Sequence, residues 1–304
     1  MIQAKSPDIV PAPLATARGT VTLRQRALRG LLGHKVALVG LGFLVLMILS
    51  MLLAPILAPH DPLAQDVTRR LRPPFWESGG SFENILGTDQ FGRDILSRLI
   101  HGARVSLAIG FGCTIVTSVV GVALGMIAGL RPRIGDVIMR IADAQIAFPY
   151  LVLAIAIVAV TGPGIQNLVL ILSIFGWVQF ARLVRADVMA VKEKEYVEAA
   201  RAIGASDLRI ALQHVLPNVL SPVIVVWTFM LAQIIIVESS LSFLGFGVPP
   251  PTPSWGSMLS DGRVYLDTAW WLGTFPGLAI MLTVLSVNLL GDALRDILDP
   301  RFRP

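Results

Sequence analysis

The sequence predicts an all-α, polytopic membrane protein with six transmembrane helices, and three observations carry that prediction. Hydrophobic residues make up 54% of the 304-residue chain, charged residues only 15%, and mean hydropathy is +0.72. A soluble chain keeps about a quarter of its residues charged. Six apolar runs reach the roughly 20 residues that a spanning helix needs, at 36–58, 105–130, 138–161, 166–187, 217–241 and 270–292. Lysine and arginine are spread unevenly over the segments between them.

The first run follows about 35 residues, too many for the charged region of a signal peptide, and Pro59 stands where cleavage would fall. It is expected to be an uncleaved transmembrane helix behind an N-terminal tail, residues 1–35. A polar stretch rich in proline, glycine and charge follows, His60 to Arg104, so residues 36–104 group as first helix plus loop. The second run carries Gly121, Gly125 and Gly129 at four-residue spacing. Such a stripe permits close approach of another helix, in the same chain or in a partner. Gly162-Pro163-Gly164 is a tight turn between the third and fourth runs. A second extended stretch, Gly245 to Asp267, contains Pro249-Pro250-Pro251 and cannot be helical throughout. Residues 105–293 group as a five-helix core, with a loop at 188–216, and 294–304 as a C-terminal tail.

Placing the N-terminus in the cytoplasm puts 18 of the 25 lysines and arginines inside and 7 outside. The positive-inside bias therefore predicts both termini cytoplasmic, and it also accounts for the net charge of +5 without nucleic acid. The lone cysteine, Cys113, lies in an apolar run and excludes an intrachain disulfide.

The loop from Asp187 to His214 is built from helix formers. Glu195 to Ala202 reads as one helix, stopped by Gly204. Ser206 can cap a second short helix, with Asp207 in its first turn. That helix places Leu208, Ala211, Leu212 and Val215 along one apolar face. Pro217 suits the first turn of the next span. The expectation is a helix–turn–helix at the membrane surface, with small alanines where a partner can come close.

At these residues the chain resembles a known family. Glu198-Ala199-Ala200, then Gly204, then Leu216-Pro217 is similar to the EAA loop of binding-protein-dependent ABC transporter permeases, with Glu195 in the same helix. The resemblance implies a coupling helix that docks in a groove of an ATP-binding subunit. The family pattern has a hydrophobic residue two before the Leu-Pro pair, where this chain has His214; that departure resembles the peptide-permease branch.

A second block narrows the resemblance. Gly87-Thr88-Asp89, Gly92-Arg93-Asp94 and Arg98 resemble the segment before the second helix in the C-type subunit of dipeptide, oligopeptide and nickel permeases, which also carries an extra N-terminal helix. Glu238-Ser239-Ser240, Trp255-Gly256 and the tail Gly291-Asp292 with Asp299-Pro300-Arg301 extend the match over nearly the whole chain. The implied fold is a MetI-like importer permease core plus that extra helix.

Asp89, Arg93, Asp94, Arg98 and Arg104 make a dense charge cluster at the outer membrane boundary, either fixing the entry of the second helix, meeting a binding protein, or pairing among themselves. Arg140 and Asp143 fall within reach on one helical face. Glu238 and Gln233 are the pathway candidates, since polar groups inside apolar spans usually face a partner or a cavity. Trp227, Trp255, Trp270 and Trp271 read as interfacial anchors.

No lysine follows a glycine, so there is no Walker A loop, and the four histidines make no recognisable metal site. The chain is expected to be non-catalytic, with ATP and magnesium bound by partner subunits. The resemblance implies a bacterial inner-membrane importer of di- or oligopeptides, nickel or another small solute. Its implied partners are a second, B-type permease, two ATP-binding subunits, an extracytoplasmic solute-binding protein and membrane lipid. An ion-driven secondary transporter is the rival from another class.

Overall fold

The computed structural model describes residues 35–298. Their long elements are α1 Lys35–Leu52, α2 Ile95–Leu130, α3 Pro132–Ile146, α4 Tyr150–Thr161, α5 Ile165–Lys192, α6 Glu195–Ala202, α7 Asp207–Phe243, α8 Trp255–Gly262 and α9 Trp271–Leu298. Among the described residues the only β pairing is an isolated Thr88–Asp94 bridge. Five helices are long and apolar enough to cross a membrane: α1, α2, α5, α7 and α9. The expected tails at 1–34 and 299–304 lie outside the described residues. We term the end of the bundle that bears residues 193–206 lower, and the end that bears 58–94 upper.

The third of the six expected spans is broken. The run at 138–161 predicts one helix, but α3 and α4 meet at 85°. Pro149 is the cause: it lacks an N–H, and its ring pushes Phe148 out of helical geometry. With twelve residues, α4 is about 18 Å long, short of the ~30 Å hydrocarbon core. Only α3 and α4 together make a crossing. Below the break, α3 is held to α5 by the ion pairs Arg182–Asp143 and Arg185–Asp136 (2.9 Å), and Arg185 Nη1 donates to the Gly135 carbonyl at 3.2 Å. The expected Arg140–Asp143 pair is therefore replaced by a pairing between helices that sequence spacing does not show.

α2 begins ten residues before the apolar run, so the 104/105 boundary falls inside a helix. At 36 residues it is about 54 Å long and rises well above the membrane. Its charged upper turns, Arg98 and Arg104, hid its start from hydropathy. Lower down, the glycine stripe packs within the chain, against α5. An added Cβ at Gly121 would lie 2.5 Å from the Trp177 carbonyl oxygen, at Gly125 2.7 Å from that of Ala181, and at Gly129 2.5 Å from Val188 Cβ. The core fills around this contact with Phe180, Val184 and Val188 of α5, Cys113 of α2 and Val219 and Met230 of α7. α1 lies on the outside and packs mainly along α9, where Gly40 approaches Ser286 and Leu289. That helix runs on past residue 293 to Leu298, where a tail was expected.

The tryptophans divide. Trp255 is fully buried, its Nε1 donating to the Leu99 carbonyl at 3.1 Å, and Trp271 is buried with Nε1 on the Thr88 carbonyl at 3.1 Å. Both are core residues that tie the upper loops to the bundle, not interfacial anchors. Trp270 keeps an exposed ring, and Trp227 packs on Phe111.

Candidate functional site

At the lower end, α5 stops at Lys192 and α6 follows after two residues. Its formers propagate a helix until Gly204, whose φ of +88° lies in the left-handed region that glycine tolerates. The N–H of Gly204 donates to Arg201 (3.0 Å) and that of Ala205 to Ala200 (3.0 Å), the two bonds of a Schellman stop. Ser206 then caps α7, its Oγ accepting from the Arg209 N–H at 3.4 Å. The expected second short helix is not separate. It runs through a π-turn, Ala211–Val215, straight into the span. Pro217 explains the wide turn, since it has no N–H for the carbonyl four residues back.

This segment is anchored on one side and open on the other. Val197 and Ala200 of α6 are buried, and Val197 joins a cluster with Val191, Ile210, Val215 and Val219. Asn218 Nδ2 donates to Tyr196 Oη (3.3 Å) and to the His214 carbonyl (2.6 Å), and Arg131, the residue that caps the end of α2, pairs with Asp207 at 3.3 Å. Glu195, Glu198, Ala199 and Gly204 face outward, as does Pro217, while Leu216 is half-buried. The face expected from Leu208, Ala211, Leu212 and Val215 is split. Ala211 and Val215 are buried, whereas Leu208 is 68% and Leu212 53% exposed. Ile203, which the sequence reading passed over, is 88% exposed beside Gly204. Apolar side chains are thus left bare at this turn, beside small alanines and acidic groups.

At the upper end, the 87–98 block is an internal clasp. Asp89 (2% exposed), Arg93 (7%), Asp94 (4%) and Arg98 (3%) are all buried. Asp89 Oδ1 accepts from the N–H groups of Phe91 and Arg93 at 2.8 and 3.0 Å, and its Oδ2 binds Arg93 Nε at 2.6 Å and faces Arg98 Nε at 3.5 Å. Asp94 caps α2, accepting from the N–H and Oγ of Ser97 at 2.8 and 2.7 Å, and takes Asn84 Nδ2 at 2.9 Å. Thr88 Oγ1 accepts from Arg72 N–H at 2.9 Å and donates to the Arg69 carbonyl. Gly87 and Gly92 have φ of +84° and +74°, and a Cβ on Gly92 would collide with the Asp66 backbone. The fifth charge of the clasp, Asp261 on α8, is 160 or more residues away in sequence, and spacing does not reveal it. It lies 3.6 Å from Arg98 Nη2 and 3.8 Å from Arg93 Nη2. Partial burial pushes the Asp261 carboxyl up, while Arg98 and Arg93 pull the other way.

The two pathway candidates part company. Glu238 is fully buried within α7 and accepts from Ser242 Oγ at 2.8 Å and Ser239 Oγ at 3.4 Å. Gly256 of α8 packs directly on Ser239 and Ser242. Among the described residues no basic side chain is within ion-pair distance of it. Gln233 is exposed, on a face of α7 shared with Phe229 and Ile236.

A bundle of long apolar helices of this kind defines a polytopic membrane protein. Residues 121–304 match the family described as binding-protein-dependent transport system inner membrane component, and the chain belongs to that family. Residues 22–74 match the N-terminal TM domain of oligopeptide transport permease C. The chain is 47% identical to the di/tripeptide transport system permease protein DppC of Pseudomonas aeruginosa, over 89% of each chain. It is 44% identical to the dipeptide transport system permease protein DppC of Escherichia coli K12, over 89% of this chain and 90% of that one. Among solved structures, an inward-facing conformation of the MetNI methionine ABC transporter covers 66% of this chain and 96% of its own, with a TM-score of 0.53 at 19% identity. That likeness concerns the fold alone.

Proposed function

We propose that this chain is the C-type permease of an importer that carries di- or oligopeptides across the bacterial inner membrane. It pairs with a B-type permease, takes its ligand from an extracytoplasmic solute-binding protein, and is driven by two partner ATPases that bind ATP and magnesium. Both termini lie in the cytoplasm, so the lower end of the bundle faces the ATPases. The observation that carries this reading is the α6–α7 turn, where Ile203 and Leu208 project into open space while Val197 and Asn218 lock the turn to the spans. A push on the turn is thereby passed to α7 and, through Arg131–Asp207, to α2. Closure of the ATPases moves these levers as rigid bodies and reorients the pathway. Gln233 is the residue of α7 that faces the translocated solute or the second permease.

The peptide assignment rests on the relatives' own substrates; a nickel complex or another small solute is the alternative. Purification of the tagged chain from mild detergent tests the assembly. The second permease and the ATPase are expected to co-purify, and Glu198→Arg with Gly204→Pro is expected to lose the ATPase alone. Purification of the chain by itself, with transport that survives ATP depletion but not an uncoupler, would overturn the reading.

A further inference from the structure

The upper loop carries an aromatic cluster that neither the clasp nor the lower turn uses. Phe75 and Phe82 stack with ring centroids 4.9 Å apart, and Phe75 meets Trp76 edge-on at 5.0 Å. Trp76 in turn meets Phe275 of α9 edge-on at 6.2 Å, and Trp270 lies 5.7 Å from the Phe275 ring. In spite of these contacts, Phe82 is 80% and Trp76 50% exposed. The segment is held in place: Phe75 N–H donates to the Ile85 carbonyl at 3.2 Å, and Glu77 N–H to that of Pro74 at 3.0 Å. A fixed turn that shows bare aromatic rings is a surface with an occupant.

The depth of the cluster identifies that occupant. Phe275 lies four residues into α9, about 6 Å inside the end of a membrane span. The open face of α9 continues below it through Leu278, Met281 and Leu285, all exposed. A loop ring that rests on Phe275 is therefore level with the outermost turn of the span, not above it. α9 and α1, which pack together, are also the least buried of the five long spans. The chemistry fits the headgroup boundary, where tryptophan buries an apolar body and keeps its N–H among polar groups, and where a neighbouring phenylalanine ring adds apolar area. Trp270 shows that arrangement, its Nε1 donating to Glu77 Oε1 at 2.8 Å.

We propose that Phe75, Trp76 and Phe82 form a lipid-facing foot that seats the 58–94 loop in the interface between headgroups and acyl chains. The foot extends the apolar face of α9 beyond the helix and fixes the height of the buried clasp above the bilayer. It holds for either orientation of the chain and is independent of the solute carried.

The test uses the full transporter complex in phosphatidylcholine nanodiscs, with an environment-sensitive fluorophore on Phe82→Cys. The unsubstituted chain, whose lone Cys113 is buried, gives the background. Phe82 is so exposed that its replacement leaves the fold intact. Lipids brominated near the headgroup end of the acyl chain are expected to quench emission, the result for a side chain about 5–10 Å into the headgroup–acyl boundary, and aqueous iodide to quench little. Iodide quenching equal to that of free dye, with none from brominated lipid, would overturn the proposal. So would shielding from both quenchers, or protection that appears only on adding the binding protein, since either would assign the patch to a protein.

Discussion

Arg98, in the first turn of α2, reaches Asp261 at the end of α8 with its Nη2 3.6 Å from the carboxylate, while its Nε faces Asp89. One guanidinium thus ties the entry of the second helix to a short helix more than 150 residues later, and does so from a buried position.

Removing that guanidinium leaves Asp89 buried without one of its two cations. Breaking one partner of a buried pair costs about 3–5 kcal/mol, so Arg98→Ala is expected to lower the thermal midpoint of the detergent-solubilised chain sharply. Arg98→Lys should recover only part, because a single ammonium cannot serve Asp89 and Asp261 together. Thermal unfolding followed by tryptophan fluorescence measures both.

Asp261 gives a pH signature. Its carboxyl is raised in the fold, mainly by burial, so the folded chain binds that proton more tightly than the unfolded one. Its contribution to stability is most favourable below the unfolded value of 3.8 and declines as pH rises through that value to the raised one. Asp261→Asn should flatten that part of the stability profile, read as thermal midpoint against pH.

The glycine stripe predicts a graded series. An added methyl at Gly125 would meet both the Ala181 carbonyl and Val184, with backbone on one side that cannot yield. Gly125→Ala is expected to cost about 1–3 kcal/mol by overpacking, and Gly125→Val to prevent a stable fold. Gly42, with nothing near it, should accept alanine without loss. Expression level and thermal midpoint decide.

Gly204 separates folding from coupling. Its φ of +88° strains any L side chain, but nothing lies within 4 Å of a Cβ there. Gly204→Ala should cost about 1 kcal/mol locally and leave the thermal midpoint nearly unchanged. Peptide-stimulated ATPase activity in proteoliposomes should fall all the same, because the turn between α6 and α7 is re-aimed.

Much of this was legible in the sequence, and the failures have physical reasons. Hydropathy finds α5, α7 and α9 because their membrane portions are continuous apolar runs, and the Gly204 stop and Ser206 cap are local chemistry that spacing reveals. The break at Pro149 was equally local but was overridden by the apolar residues on both sides. The start of α2 was hidden because Arg98 is charged, and only the fold supplies the carboxylates that let it be buried. The same holds for Arg182–Asp143 and for Asp261, whose partners lie far along the chain. Glu238 is a polar group in a span whose hydrogen-bond partners, Ser239 and Ser242, lie within the next turn of the same helix.

We propose the α6–α7 turn as the docking surface for an ATPase. The most direct test places a photo-cross-linker on Ile203→Cys in the assembled transporter and identifies what it captures. Capture of the ATP-binding subunit is expected, with a yield that changes between nucleotide-free and ATP-bound states. Capture of lipid alone, or of the solute-binding protein, would contradict it.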